Sequence, residues 1–160
     1  MADFTHMDEK GHVRMVDVCD KAPTDRIAVA QAEISMTADT FFKIINNEMR
    51  KGNVLETARI AGIMAAKKTP DLIPMCHPIN IGHVQVDFFP DKEKNTIGIT
   101  ASVRIFDRTG VEMEALTAVT AAALTIYDMC KSHDRAMIIS NICLKQKSGG
   151  KSGTLMRPTD

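Results

Sequence analysis

HVQVDFFPDKEKNTIGITASVRIFDRTGVEMEALTAVTAAALTIYDMCK, residues 83–131, decides the fold. It opens with two runs rich in Val, Ile and Phe, His83–Phe89 and Ile97–Phe106, split by the polar loop Pro90-Asp91-Lys92-Glu93-Lys94-Asn95. Such a pair reads as a β-hairpin. The pattern then changes: residues from about 112 to 132 predict one long helix. Glu112 and Glu114 open that helix, and Asp128 and Lys131 close it. The thirteen residues Ala115–Tyr127 between them carry no charge, and eight are Ala or Thr, so the rod is expected to be buried and closely approachable by another backbone.

Upstream of the hairpin, Ile27–Met36 alternates as a strand, preceded by the turn Pro23-Thr24-Asp25. Thr37-Ala38-Asp39-Thr40 offers caps for a helix carrying Phe41, Phe42, Ile44, Ile45 and Met49, which Gly52 breaks. A second helix is expected from about Asn53 to Lys67. It is apolar on most faces and therefore expected to be buried. Thr69-Pro70 ends it, and Pro74 and Pro78 keep the next stretch extended. Downstream of the long helix, Ala136–Leu144 reads as a final strand. The order β, α(α), β, β, α, β predicts an α+β fold, a ferredoxin-like antiparallel sheet with helices packed on one face. No linker divides residues 1–160, so a single domain is expected, with residues 1–12 and 148–160 mobile.

Hydrophobic residues make up 44% and charged residues 25% of the 160, and the formal net charge is zero, so nothing in the bulk charge attracts nucleic acid. The strands also lack the stacked aromatics of an RNA-recognition domain. No apolar run reaches the roughly 18 residues of a membrane span. Cys19, Cys76, Cys130 and Cys143 form no CxxC pair, and the N-terminus has no signal-peptide core. A cytoplasmic protein with reduced thiols is expected.

The two charged ends of the long helix can be read in two ways. Acids at a helix N-terminus and a Lys at its C-terminus suit the macrodipole. Alternatively, the ends carry chemistry. At 1.5 Å per residue Glu114 and Asp128 lie roughly 21 Å apart, and about 100° per residue leaves them only ~40° apart around the axis. One small molecule cannot touch both ends of one chain, but two packed copies can join one acidic end to the other's Asp–Lys end. Asp128 and Lys131, at i and i+3, are immediate neighbours.

Other segments carry chemistry-bearing residues. Pro74-Met75-Cys76-His77-Pro78 holds a His and a Cys in a Pro-stiffened stretch, where His77 can bind phosphate, move a proton or simply pack. Cys76, His77 and His83 lack metal-ligand spacing. Arg50-Lys51-Gly52 puts cations at a helix break, and Lys21 and Arg26 flank the turn before the first strand. Lys145-Gln146-Lys147-Ser148-Gly149-Gly150-Lys151-Ser152 imitates a P-loop but has Lys where the first Gly belongs; it is either a lid for a polyphosphate or a free tail. These residues suit acid–base and phosphate chemistry on an anionic substrate.

Strings along nearly the whole chain resemble the molybdenum-cofactor biosynthesis protein C family, the cyclic pyranopterin monophosphate synthases. They are Phe4-Thr5-His6, Met15-Val16-Asp17-Val18, Lys51-Gly52-Asn53-Val54, Thr57-Ala58-Arg59-Ile60-Ala61-Gly62-Ile63, Leu72-Ile73-Pro74-Met75-Cys76-His77-Pro78, Thr109–Lys131 and Lys147-Ser148-Gly149-Gly150-Lys151-Ser152-Gly153. The resemblance implies a lyase that converts 3′,8-cyclo-7,8-dihydro-GTP into cyclic pyranopterin monophosphate and releases pyrophosphate. It implies a homohexamer, a trimer of dimers with active sites at dimer interfaces. It implies no redox step and no tightly bound cofactor, leaving room for Mg²⁺ to travel with the triphosphate. Carried over by residue, it marks Asp128, Lys131 and Lys51 as catalytic. It marks Met75, Cys76, His77, Met113 and Glu114 as substrate-binding, with Glu112, Arg26 and Lys147 beside them, the last two for the triphosphate. Clustered lysines are expected to lower one ammonium pKa by repulsion, moderated by Asp128. A non-catalytic nucleotide-binding regulatory module of the same fold is the rival reading; it would bind without releasing pyrophosphate.

Overall fold

The computed structural model of the protein describes residues 11–150 and 153–158. Phe4-Thr5-His6, Lys151 and Ser152 lie outside the described residues.

The hairpin forms as its sequence pattern requires. β2 (His83–Asp91) pairs antiparallel with β3 (Thr96–Asp107), with Val86 opposite Ala101. β1 (Thr24–Ser35) pairs antiparallel with β3 on one side and with β4 (Ile138–Ser148) on the other. Two residues, Leu155–Met156, form β5 on the outer edge of β4. The sheet runs β2-β3-β1-β4-β5, all antiparallel. Two β-α-β units are therefore interleaved, each with a strand of the other inserted between its own.

Alternate residues of β1 (Ala28, Ala30, Ala32, Ile34) and of β3 (Ile97, Ile99, Ala101, Val103, Ile105) are buried. α4 (Glu112–Cys130) packs across β1, β3 and β4, and α2 (Val54–Lys67) lies on α4 and β2. The small side chains explain the closeness. Ala115, Ala118, Val119, Ala122 and Ala123 of α4 are wholly buried, and a Cβ added at Gly62 of α2 would meet the Ala118 carbonyl oxygen at 3.0 Å. The expected burial of α4's middle holds for one face only, on the chain's own sheet and α2; Leu124 on the opposite face is 56% exposed.

Several boundaries differ from expectation. α1 (Ala38–Ile45) stops before Met49, because Asn46 caps it and Asn47 turns left-handed at φ 57°. α2 is capped by Asn53, whose Oδ1 accepts from Glu56 N at 3.0 Å. It is not buried all round: Val54, Ala58, Gly62 and Ala66 face inward, while Ile60 and Met64 are 58% and 59% exposed. The Thr69-Pro70 stop is itself a short helical turn, α3 (Thr69–Leu72). The last strand begins at Ile138 rather than Ala136 and continues to Ser148, beyond Leu144. Within the segment that follows Ser148, Leu155–Met156 pairs with β4 as β5, and Arg157 N donates to Lys145 O at 2.8 Å.

Asp134, only 5% exposed, ties the ends of α1 and α4 together. Its carboxylate accepts from Thr37 N (2.8 Å), Thr37 Oγ1 (2.9 Å), Thr40 Oγ1 (3.2 Å) and Ala136 N (2.9 Å). Backbone and hydroxyl donors hold this carboxyl below its ordinary pKa.

Candidate active site

The N-terminal end of α4 opens into a cavity of about 780 Å³. The loop after α3 contributes Ile73, Met75, Cys76 and His77; the turn into α4 contributes Thr109, Gly110, Glu112, Met113 and Glu114. β1 adds Arg26, β4 adds Lys147, and the segment before β1 adds Val16, Val18 and Lys21. All eight residues expected to bind substrate line this one cavity. A second lobe of about 800 Å³ continues past Lys21 and Arg26 to Asp17, Asp20, Ala22, Thr24 and Gly150. Gly149 and Gly150 turn here at φ 96° and 75°, a conformation that suits Gly, and a Cβ at Gly150 would collide with the Arg26 guanidinium.

Several of these groups are held by the fold itself. Arg26 donates from Nε to Asp107 O and from Nη2 to Arg108 O, both at 2.9 Å, which fixes the guanidinium plane. Lys147 Nζ donates to Glu112 Oε1 at 3.0 Å in a half-buried ion pair. His77 Nε2 lies 2.8 Å from Val16 O. The Thr24 hydroxyl is buried with no hydrogen-bond partner among the described residues.

Glu114 is 3% exposed, and burial pushes its carboxyl up to about 7, with the neighbouring Glu112 charge adding to the rise. Burial and the Glu114 charge also raise the Cys76 thiol. Cys76 is thus a neutral lining group rather than a thiolate.

The other end of α4 carries a separate cluster. Asp128 Oδ1 accepts from Lys131 Nζ at 2.7 Å, and Oδ2 lies 3.3 Å from Lys51 Nζ. Lys51 Nζ also donates to the Asp128 carbonyl at 2.9 Å. Lys51 reaches this point because the α1–α2 connection passes the C-terminus of α4. The hydrogen bond from Lys131, then that from Lys51, holds the Asp128 carboxyl below its usual range. The expectation of a lowered lysine pKa does not hold for Lys131: its hydrogen bond to Asp128 raises it, since the carboxylate between the two lysines outweighs their repulsion. A shallow hollow of about 330 Å³ beside Lys51 is lined by Lys43, Glu48, Met49, Arg50, Met129, Ser132 and His133.

Within one chain the Lys51–Asp128–Lys131 cluster and the eight cavity residues stay at opposite ends of α4. The sequence reading missed Val16, Val18, Ile73, Thr109 and Gly110 as cavity lining and gave Lys21 no role. The signal available for the first two was the alternation in Met15-Val16-Asp17-Val18. No group of three or more His, Cys, Asp or Glu among the described residues is arranged to hold a metal ion. No helix of the described residues is long and apolar enough to cross a membrane.

The chain is 64% identical over 156 residues to the cyclic pyranopterin monophosphate synthase of Desulforapulum autotrophicum, covering 98% of this chain and 96% of that protein. It is 65% identical over 153 residues to the protein of the same name in Desulfatibacillum aliphaticivorans, covering 96% of each chain. The synthase of Pelotomaculum thermopropionicum is 54% identical over 157 residues, covering 98% of this chain and 92% of its own. The MoaC family profile matches residues 15–150, which span both ends of α4 and every cavity residue, and the chain belongs to the MoaC family.

Proposed function

We propose that the chain, similar to proteins named cyclic pyranopterin monophosphate synthase, is a lyase that converts 3′,8-cyclo-7,8-dihydro-GTP into cyclic pyranopterin monophosphate and pyrophosphate. The observation that carries this reading is the division of labour along α4. A half-buried cavity takes the purine-derived body and its phosphates, and an Asp–Lys cluster supplies protons.

The roles follow from the environments. Glu114, nearly buried and titrating near 7, can accept a proton from a ring nitrogen and return it. Met113, Met75 and Cys76 offer polarisable, uncharged surface to a flat ring. Arg26, Lys147 and Lys21, with the Thr24 hydroxyl that has no partner among the described residues, support a polyphosphate seat reaching into the second lobe. There a substrate hydroxyl attacks the α-phosphorus and gives up its proton to water; the new P–O bond forms as the bond from the α-phosphorus to the bridging oxygen breaks, and pyrophosphate leaves with that electron pair. Cations stabilise that charge as it develops. Lys131, kept as an ammonium by Asp128, is suited to give a proton, and Asp128 orients both lysines. Mg²⁺ would ride on phosphate oxygens and water, because the described residues offer it no protein cage.

The two ends lie roughly 21 Å apart along one helix, so the complete site joins the cavity of one copy to the Lys51–Asp128–Lys131 cluster of another. Exposed apolar residues on the helix layer, Ile60, Met64 and Leu124, support association into the proposed trimer of dimers, in a ferredoxin-like subunit working in the cytoplasm. The test is subunit mixing. Glu114→Ala and Asp128→Ala chains, each inactive alone, should regain partial pyrophosphate release when exchanged. Silence after mass spectrometry has proved mixed oligomers would sink the shared site.

A further inference from the structure

We propose that His77 is a positioning residue whose imidazole latches residues 15–21 as one wall of the substrate cavity. The proposal rests on the reading that this cavity takes the substrate.

Residues 14–18 carry no helix or strand, and Met15, Asp17 and Cys19 are exposed. Val16 and Val18 alone in that run turn partly inward, and with Lys21 they line the cavity. The bonds Cys19 N to Asp17 Oδ1 (2.9 Å) and Lys21 N to Val18 O (3.1 Å) stay within the strap. His77, which lines the same cavity, meets the strap directly, its Nε2 2.8 Å from Val16 O. A carbonyl only accepts, so the imidazole Nε2 carries the hydrogen and donates. The ring itself stands on Pro74-Met75-Cys76-His77-Pro78, where two prolines limit backbone freedom. A stiff post therefore grips the strap near its N-terminal end, at Val16. Lys21 lies five residues along the same strap and lines both lobes, so its ammonium is placed by the same bond.

The latch needs a hydrogen-bond donor and no proton transfer, which separates it from acid–base catalysis. In the full chain, tryptic cuts after Arg14 and Lys21 are timed by mass spectrometry for wild type, His77→Gln, His77→Ala and the bulkier non-donor His77→Leu. Loss of the bond should speed these two cuts about tenfold in the Ala and Leu variants, and the Gln amide should restore slow cutting. With substrate, KM should rise about tenfold in the non-donor variants while kcat stays within about twofold, and Gln should restore KM. Wild-type cutting rates in both Ala and Leu variants would overturn the latch. So would a kcat lost equally in Gln, Ala and Leu, which marks a proton carrier. Faster cutting with unchanged KM would remove the strap from substrate binding and overturn the proposal, with the lyase reaction intact. Absence of turnover in the wild type would instead strike the functional reading, because the cutting rates are read without substrate.

Discussion

The two ends of α4 hold carboxylates of similar chemistry in opposite surroundings. Glu114 is buried among apolar groups and beside another acid, and its carboxyl rises to about 7. Asp128 is exposed between two ammonium groups, and its carboxyl falls. The first environment makes a group that exchanges its proton near neutral pH. The second makes a permanent anion that keeps its lysine partner charged. The difference shows that one helix can present a proton-exchanging group and a fixed ion pair simply by having one end covered and the other open.

The strongest way to break the comparison is to remove the anion. Asp128→Asn should cut pyrophosphate release by about 10²–10⁴-fold. The same change should leave the melting temperature indistinguishable from wild type, because exposed ion pairs add little stability. A large loss of stability would show that the cluster is structural.

The buried end can be tested by pH. Unfolded Glu114 loses its proton near its ordinary value, whereas folded Glu114 keeps it until about 7. Between those values the folded state binds the extra proton, so stability falls as pH rises through this window. The full cost, about 3 kcal/mol, is present above about 7. Glu114→Gln should flatten that part of the profile, measured by urea unfolding at a series of pH values. An unchanged slope would mean that the carboxyl is better solvated than its burial indicates.

The smallest effect concerns the region between the ends. Gly62→Ala would press a methyl against the Ala118 carbonyl and should cost about 1–2 kcal/mol, read as a lower urea midpoint. A neutral result would show that α2 can back away from α4 freely.

Much of this was legible in the sequence because it rests on local patterns. The hairpin, the long uncharged helix and the element order follow from periodicity, and those give the interleaved sheet. The Thr37 cap was legible too, since Thr40 N lies 3.4 Å from Thr37 Oγ1. What could not be read was the third partner, Asp134, which joins Thr37 and Thr40 from 97 and 94 positions away. The extension of β4 was hidden for a different reason. Lys145, Gln146 and Lys147 are polar, yet Lys147 pairs with Ala28 and turns toward Glu112, so its stem lies along the sheet while its charge meets an acid. The cavity residues were found through the family resemblance, and their gathering around one opening depends on tertiary closure that no spacing reveals.

The uncharged stretch of α4 also constrains how the chain can change. Adding or deleting one residue between Glu114 and Asp128 would rotate one end against the other by about 100° and shift it by about 1.5 Å. Side chains along this rod can be exchanged one at a time, but its length works as a gauge. Insertions and deletions must therefore be confined to loops such as Lys92–Asn95, where no such calibration is at stake.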